Sequence, residues 1–421
     1  MAHGSIGRLQ GAGLLATTLL GTGVFILPGL TLSTAGGAAF WLWIVLTLLA
    51  VPVTLVFGQL AGSLPHAGGP AHFVQVAFGE IAGRVTGLLF LLVVPVGAAA
   101  ALWMAWSFIE PWFGGAPWHA LLAQYGFLGL FYLLNRVGFQ LSAKLQLTLT
   151  LAIAFAVVLL GVLAWPQLHG VTPALPVMAD APALSTAIAL GFWSFLGVEA
   201  MTHLAQDFKQ PQRDMVPALL LGLAVVGVLY LLCTWLLWQL SPNPTAPLSM
   251  AEAFGLVLGP VGTVLIAALG LASSLAGVNV YTASVARLCG SFAEQGVLPR
   301  GLATKNAHQV PERALVFMLL LMALLITGAT LSGQQLADLI SWVNGVFVFI
   351  YLAAMAAALR LLPRRFKPIA LLSLLLCVAV LWTLGSSIGY AVLLVLVCTP
   401  CVWWQHARRA ASVIADTSAA P

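Results

Sequence analysis

Charge is scarce in this chain. Its 421 residues carry 16 Lys and Arg and 11 Asp and Glu, 6% charged in all, where a soluble domain has about a quarter. Hydrophobic residues make up 61%. No soluble fold hides that much apolar surface, so the main solvent is lipid. Cysteine is rare too. Cys233, Cys289, Cys377, Cys398 and Cys401 mostly sit in apolar runs. Cys398 and Cys401 have CxxC spacing, but no second pair or histidine cluster accompanies them, so they read as small apolar fillers rather than metal or redox groups. A soluble domain, a long linker and a low-complexity tract are also missing. The first apolar run is too long for a cleavable signal and leads into further spans.

What is present is a series of apolar runs of about 20 residues. They fall at roughly 10–32, 40–62, 84–108, 119–135, 145–165, 184–206, 216–240, 260–288, 314–332, 335–359, 367–385 and 387–405. The pattern predicts an all-α membrane protein with twelve transmembrane helices, a single polytopic domain over 1–421. Many of the 14 Trp lie near the ends of these runs, as in interfacial belts. With the N-terminus in the cytoplasm, all Lys and Arg, from Arg8 to Arg409, fall on the cytoplasmic side. Both termini are therefore expected inside. The net charge of +5 follows from this topology and does not call for a nucleic-acid partner.

The acidic residues are more informative. Ten of them fall in or beside loops; Glu199 alone lies within a span. An ionised acid at the bilayer centre costs about 3 kcal/mol on insertion scales. Proton coupling or gating is one role for it. Holding its own helix together through hydrogen bonds, as a protonated carboxyl, is the other.

Around Glu199 the sequence reads Phe195-Leu196-Gly197-Val198-Glu199, which echoes Leu20-Gly21-Thr22-Gly23-Val24-Phe25 in the first span. The two segments lie five helices apart, and an odd number of spans makes equivalent repeats antiparallel. Paired glycine-interrupted helices point to an inverted-repeat transporter. Breaking helix 1 at Gly21–Gly23 exposes N–H groups at the start of its outer half, which suit a carboxylate. The end of the inner half and the helix 6 break offer carbonyls to an ammonium group. Unpaired backbone is tolerated at this depth only around an enclosed or watered cavity. The candidate substrate-binding residues are Gly21, Thr22, Gly23, Val24, Trp193, Phe195, Leu196, Gly197, Val198 and Asn279, with the small residues of 94–104 leaving room. One buried acid and no mid-span Lys or Arg predict a neutral, apolar amino acid as substrate.

Alternatives stay open at several residues. Ser273 and Ser274 could join helix 1 carbonyls in a sodium site, although membrane serines more often bond backbone. Asn279 and Tyr281 either reach the cavity or bridge helices. His203 lies one turn from Glu199, on the same face, as a relay partner or as a polar residue nearing the inner interface. A channel would need a continuous polar path, for which these helices are too apolar. No nucleophile–base pair or HExxH motif indicates an enzyme, and no cofactor is called for.

At these residues the chain resembles the amino acid–polyamine–organocation superfamily over its whole length. "LLGTGVFILPG" (19–29), "LPHAGGPAHFVQVAFG" (64–79), "FWSFLGVEAMTHLAQDFKQPQRDMVPA" (192–218) and "NVYTASVARLCGSFAEQGVLP" (279–299) match its signature segments in order. Within the superfamily, "LLGTGVF", "AGGPAHFVQVAFG" and the helix 6 run resemble the bacterial exporters of L-methionine and branched-chain amino acids. The resemblance implies a LeuT-like 5+5 inverted repeat with helices 1 and 6 broken (1–165 and 184–360), helices 11 and 12 (366–406) outside it, and alternating access. It implies that Thr22 and Gly23 meet the substrate carboxylate, that Phe195 is an aromatic gate and that Glu199 sits beside the site. It also implies export from a bacterial inner membrane by proton antiport. The Ser273-Ser274 pair leaves the coupling ion open between proton and sodium, and a proton- or sodium-coupled importer or exchanger of the same superfamily is the alternative to an exporter.

Overall fold

Apolar Leu- and Ala-rich stretches become helices here, and glycine and proline decide where each one stops. The computed structural model describes residues 6–21, 23–114, 116–138, 143–168, 181–241 and 247–418. Among them there is no β-strand, only an isolated parallel bridge between Ile6 and Phe208.

The first expected span is two helices, α1 (Arg8–Leu20) and α2 (Leu27–Ala35), with a non-helical turn between them. They are followed by α3 (Ala38–Ser63), the short α4 (Gly69–Phe78), α5 (Glu80–Ser107), one turn α6 (Glu110–Phe113), α7 (Pro117–Arg136) and α8 (Ala143–Ala164). The expected sixth span is likewise interrupted, as α9 (Ala181–Phe192), a 3₁₀ turn Trp193–Phe195 and α10 (Val198–Thr202). Then come α11 (Pro211–Leu240), α12 (Met250–Glu294), α13 (Glu312–Leu331), α14 (Leu336–Leu361), α15 (Lys367–Thr383) and α16 (Ile388–Ser418).

Among the described residues, ten helices are long and apolar enough to cross a bilayer. The two expected spans outside that count have physical reasons. Neither α1 nor α2 is long enough alone, because the break divides them. The twenty-residue α7 is diluted by His119, Gln124, Tyr125 and Asn135. The span expected to start at 260 is the part of α12 beyond a kink, where Gly259 has φ +64° and Pro260 follows. A proline there cannot complete the preceding turn.

α5 and α14 form the centre. Their most apolar windows are 78% and 67% buried, against 17% for the last two spans, which stand at the periphery. α5 packs against α4, α12, α13 and α14, while α11 packs against α3 and α1. The broken helices bridge these groups: α1 packs on α11, α9 on α2 and α14, and α10 on α3 and α4. The chain ahead of the helix 1 break is tied to the chain beyond the helix 6 break. The N–H of Ile6 donates to Asp207 and that of Lys209 to Ile6, each at 3.0 Å, and Arg8 pairs with Asp214 at 2.7 Å.

Candidate functional site

The helix 1 break is a succession of tight turns. Gly21 donates to the Thr17 carbonyl, and Gly23 and Val24 both donate to that of Leu20, each at 3.0 Å. Gly21 has φ +20°. At Gly23 the need for glycine is steric: a Cβ there would stand 2.5 Å from the Tyr230 hydroxyl and 2.8 Å from Leu27 Cδ1. Thr22 lies outside the described residues. Val24 is fully buried.

The helix 6 break turns on Gly197. Leu196 is extended and Gly197 takes φ +130°, a conformation that L side chains rarely adopt. A Cβ at Gly197 would lie 2.8 Å from Thr18 Cγ2 and 3.1 Å from Leu19 Cδ2. The two breaks therefore touch, and only a glycine lets them approach this closely.

Glu199 is fully buried and turns back on its own break. Its Oε2 accepts the N–H of Gly197 at 2.8 Å and the hydroxyl of Tyr351. Its Oε1 accepts the hydroxyl of Tyr281 at 3.2 Å. Three donors on one carboxyl group are the arrangement a buried acid needs at this depth.

Between the breaks lies a cavity of about 80 Å³. Thr18, Leu19 and Gly21 line it from helix 1, Trp193 and Leu196 from helix 6, and Val94, Gly97, Ala98 and Ala101 from α5. Tyr281 of α12 and Phe347 of α14 close it. Among the described residues no charged side chain is on the wall, and the polar side-chain groups there are the hydroxyls of Thr18 and Tyr281 and the indole of Trp193.

The residues singled out in the sequence thus divide. Gly21, Trp193 and Leu196 line the cavity. Gly23 and Gly197 shape the breaks behind it. Phe195 and Val198 face the other way, into a lateral crevice that also contains Tyr351, so the aromatic ring that this segment gives the cavity is that of Trp193. Asn279 does not line the cavity. Its Oδ1 accepts the Asn135 amide of α7 at 2.7 Å, an interhelical bond whose partner is 144 residues away. Ser273 and Ser274 are fully buried, and their hydroxyls have no hydrogen-bond partner among the described residues. On the same helix Thr282 and Ser284 bond the carbonyls four residues back.

A family profile described as "Amino acid permease" matches residues 6–407. The chain belongs to this family. It is a transmembrane amino acid transporter of the amino acid–polyamine–organocation superfamily. The permease is 36% identical over 405 residues to the L-methionine/branched-chain amino acid exporter YjeH of Escherichia coli (strain K12), covering 92% of this chain and 94% of that protein. It is 28% identical over 368 residues to the uncharacterized amino acid permease YecA of Bacillus subtilis (strain 168), covering 86% of each. It is 25% identical over 360 residues to the cadaverine/lysine antiporter of E. coli (strain K12), covering 82% of this chain and 80% of that one.

Several features of the permease escaped the sequence reading. Trp43 is fully buried and ties both breaks together. Its ring stacks on Tyr230 at 4.3 Å and meets Phe195 at 6.3 Å, while its indole N–H donates to Thr31 of α2 at 3.1 Å. On the N-terminal side lies a second, polar basin of about 420 Å³, with Glu80, Arg84, Asp207 and Arg287 in its wall. Phe90 lines this basin and packs on Tyr281 and Phe347, at 6.5 and 6.0 Å, so its ring stands between the basin and the central cavity. His203 belongs to the basin. Its Nδ1 lies 2.7 Å from the Ala67 carbonyl and its ring 5.2 Å from Phe90. Near it His66 and His72 stack at 3.8 Å; burial, and then the charge of His66, hold the His72 imidazole below the usual histidine range.

Proposed function

We propose that the permease exports neutral apolar amino acids (methionine, leucine, isoleucine and valine) across the bacterial inner membrane by proton antiport and alternating access. In this reading the chain crosses twelve times with both termini cytoplasmic. Residues 1–165 and 184–360 form the two inverted repeats, and the helices of 366–406 stand outside them. The observation that carries it is the meeting of two helix breaks at an uncharged cavity, with one buried acid beside them.

The substrate carboxylate is read by N–H groups of the helix 1 break, which must exchange their bonds to the Thr17 and Leu20 carbonyls for it, and the ammonium faces carbonyls of the two breaks. The side chain lies against Val94, Gly97, Ala98 and Ala101. A cationic side chain would need a carboxylate in the cavity wall, and an acidic one a guanidinium or ammonium; neither is among the described lining residues. That chemistry favours the cargo named for YjeH over the lysine and cadaverine named for the antiporter.

Glu199 carries the proton. As a carboxylate it accepts from Gly197, Tyr281 and Tyr351. A proton on Oε2 turns the Tyr351 hydroxyl and weakens that oxygen as an acceptor for Gly197, which links the shape of the break to proton occupancy. Tyr281 lies on the cavity wall, where substrate arrival can shift its own bond to Glu199 Oε1. Phe90 must move for the cavity to open to the basin.

A second reading has sodium as the coupling ion. It is favoured by the unpartnered hydroxyls of Ser273 and Ser274, since a hard cation takes such oxygens.

Inside-out vesicles given a panel of amino acids under imposed gradients test both readings. An acid lumen is expected to drive accumulation of methionine and the branched-chain amino acids, with lysine, arginine and glutamate excluded. Accumulation that follows a sodium gradient at constant pH would replace the proton. Lysine or glutamate accumulating as well as methionine would overturn the substrate assignment.

A further inference from the structure

Behind the helix 6 break, facing away from the central cavity, lies a crevice of about 250 Å³. α3, α9 and α15 wall it, and Phe195, Val198 and Tyr351 form its floor. Its described lining is almost entirely carbon, without a charged side chain. Its rim includes Val45, 49% exposed, and Leu49, 38% exposed. Both sit on a helix long and apolar enough to span, so this mouth opens to hydrocarbon and not to water. Along α3 the crevice runs from Trp41 to Thr54, roughly 20 Å at about 1.5 Å per residue. One leaflet's share of a hydrocarbon core of about 30 Å is about 15 Å. Leu184, at the start of α9, and Thr383, at the end of α15, mark the same end as Trp41. There the buried indole nitrogen of Trp41 has no partner among the described residues. An indole N–H at the edge of the hydrocarbon is placed to donate to an ester oxygen.

We propose that one acyl chain of a phospholipid, from the leaflet at the Trp41 end, occupies this crevice and supports the helix 6 break from behind. Its methylenes fill the space against Phe195, Val198 and the Tyr351 ring. An amino acid does not fit this chemistry, because nothing on the wall pairs with a carboxylate or an ammonium. Thr54 discriminates between ligand classes. It is 1% exposed and its hydroxyl has no partner among the described residues, whereas Thr47 on the same helix bonds the Trp43 carbonyl at 2.7 Å. A ligand with a polar group at depth would use that hydroxyl; an acyl chain would not.

The test is photolabelling of the full-length protein in proteoliposomes that contain a phospholipid with a diazirine midway along one acyl chain, with adducts mapped by mass spectrometry. Adducts at Ala50, Val53 and 376–380 are expected at least threefold above those on the outward residues Leu151, Phe155 and Val158 of α8. Ala379→Trp, which fills the crevice, should reduce them at least threefold, and Thr54→Val should leave them equal or higher. Should Ala379→Trp not fold, Ala50→Phe fills the crevice from the opposite wall. Adducts no denser in the crevice than on α8, or adducts indifferent to the filling variant, would overturn the proposal. So would their loss in Thr54→Val, which would indicate a polar ligand, or cross-links between two copies of the chain in place of lipid adducts.

Discussion

The two helix breaks differ both in backbone shape and in what holds them: tight turns in helix 1, an extended residue and a glycine at positive φ in helix 6. In helix 1 the turn is apolar and sterically confined: Gly23 has the Tyr230 hydroxyl and Leu27 where a side chain would go, and no ionisable group is near in sequence. In helix 6 the turn rests on one glycine at φ +130°, and a carboxyl two residues later captures its N–H. One break is held by backbone hydrogen bonds and packing, the other by a side-chain bond that a proton can alter. Under the proposed function, recognition of a fixed headgroup and response to an ion fall on separate helices.

That contrast can be broken most severely at Gly197. Gly197→Val adds strain of about 1–3 kcal/mol and a contact 2.8 Å from Thr18. Transport is expected to fall roughly 100-fold, as about 1.4 kcal/mol is a factor of ten; half-normal uptake in vesicles would refute the strained geometry. Glu199→Gln comes next. Replacing a charge-accepting bond of about 1.5–3 kcal/mol should cut gradient-driven transport roughly 10- to 100-fold. Substrate counterflow without a gradient should survive, and equal loss of both would assign Glu199 a purely structural part.

Gly23→Ala should cost roughly tenfold in affinity, and Tyr230→Phe should recover part of it by removing the hydroxyl that the new methyl meets. Equal defects in the single and double variants would show that the clash is not the cause. Tyr281→Phe and Tyr351→Phe each remove one donor to Glu199, worth about 1 kcal/mol. Each should shift the pH profile of transport while leaving its maximum within roughly fivefold; unmoved profiles would detach the tyrosines from the proton. The smallest effect belongs to Arg8→Ala. Its bridge to Asp214 is solvent-exposed on the Arg8 side, so thermal stability should change by less than about 1 kcal/mol.

Much of this was legible in the sequence, and for identifiable reasons. Gly21, Gly23 and Gly197 betray the breaks because glycine is weakest in the middle of an apolar helix. Glu199 stands out because its hydrophobic neighbours leave it alone. The partners of Glu199 were not legible, since Tyr281 and Tyr351 lie 82 and 152 residues further on and only helix packing brings them back. The only signal was weak: all six tyrosines of the chain fall inside the expected spans, where a hydroxyl needs a partner, so Tyr281 and Tyr351 were not singled out as partners of Glu199. Asn279 misled because its natural partner, Asn135, sits near the end of α7, where a polar residue passes for an interfacial one. The direction in which Phe195 and Trp193 point depends on the 3₁₀ turn between α9 and Gly197, and spacing alone does not reveal it.

The central claim is that the backbone of two touching breaks reads both charges of a zwitterion. Methionine counterflow in proteoliposomes, challenged with headgroup-altered analogues, tests it most directly. Leucine and valine should compete with methionine, while methionine methyl ester and N-acetylmethionine, each lacking one charge, should fail at tenfold excess. Competition by either analogue as strong as that of leucine would contradict the account.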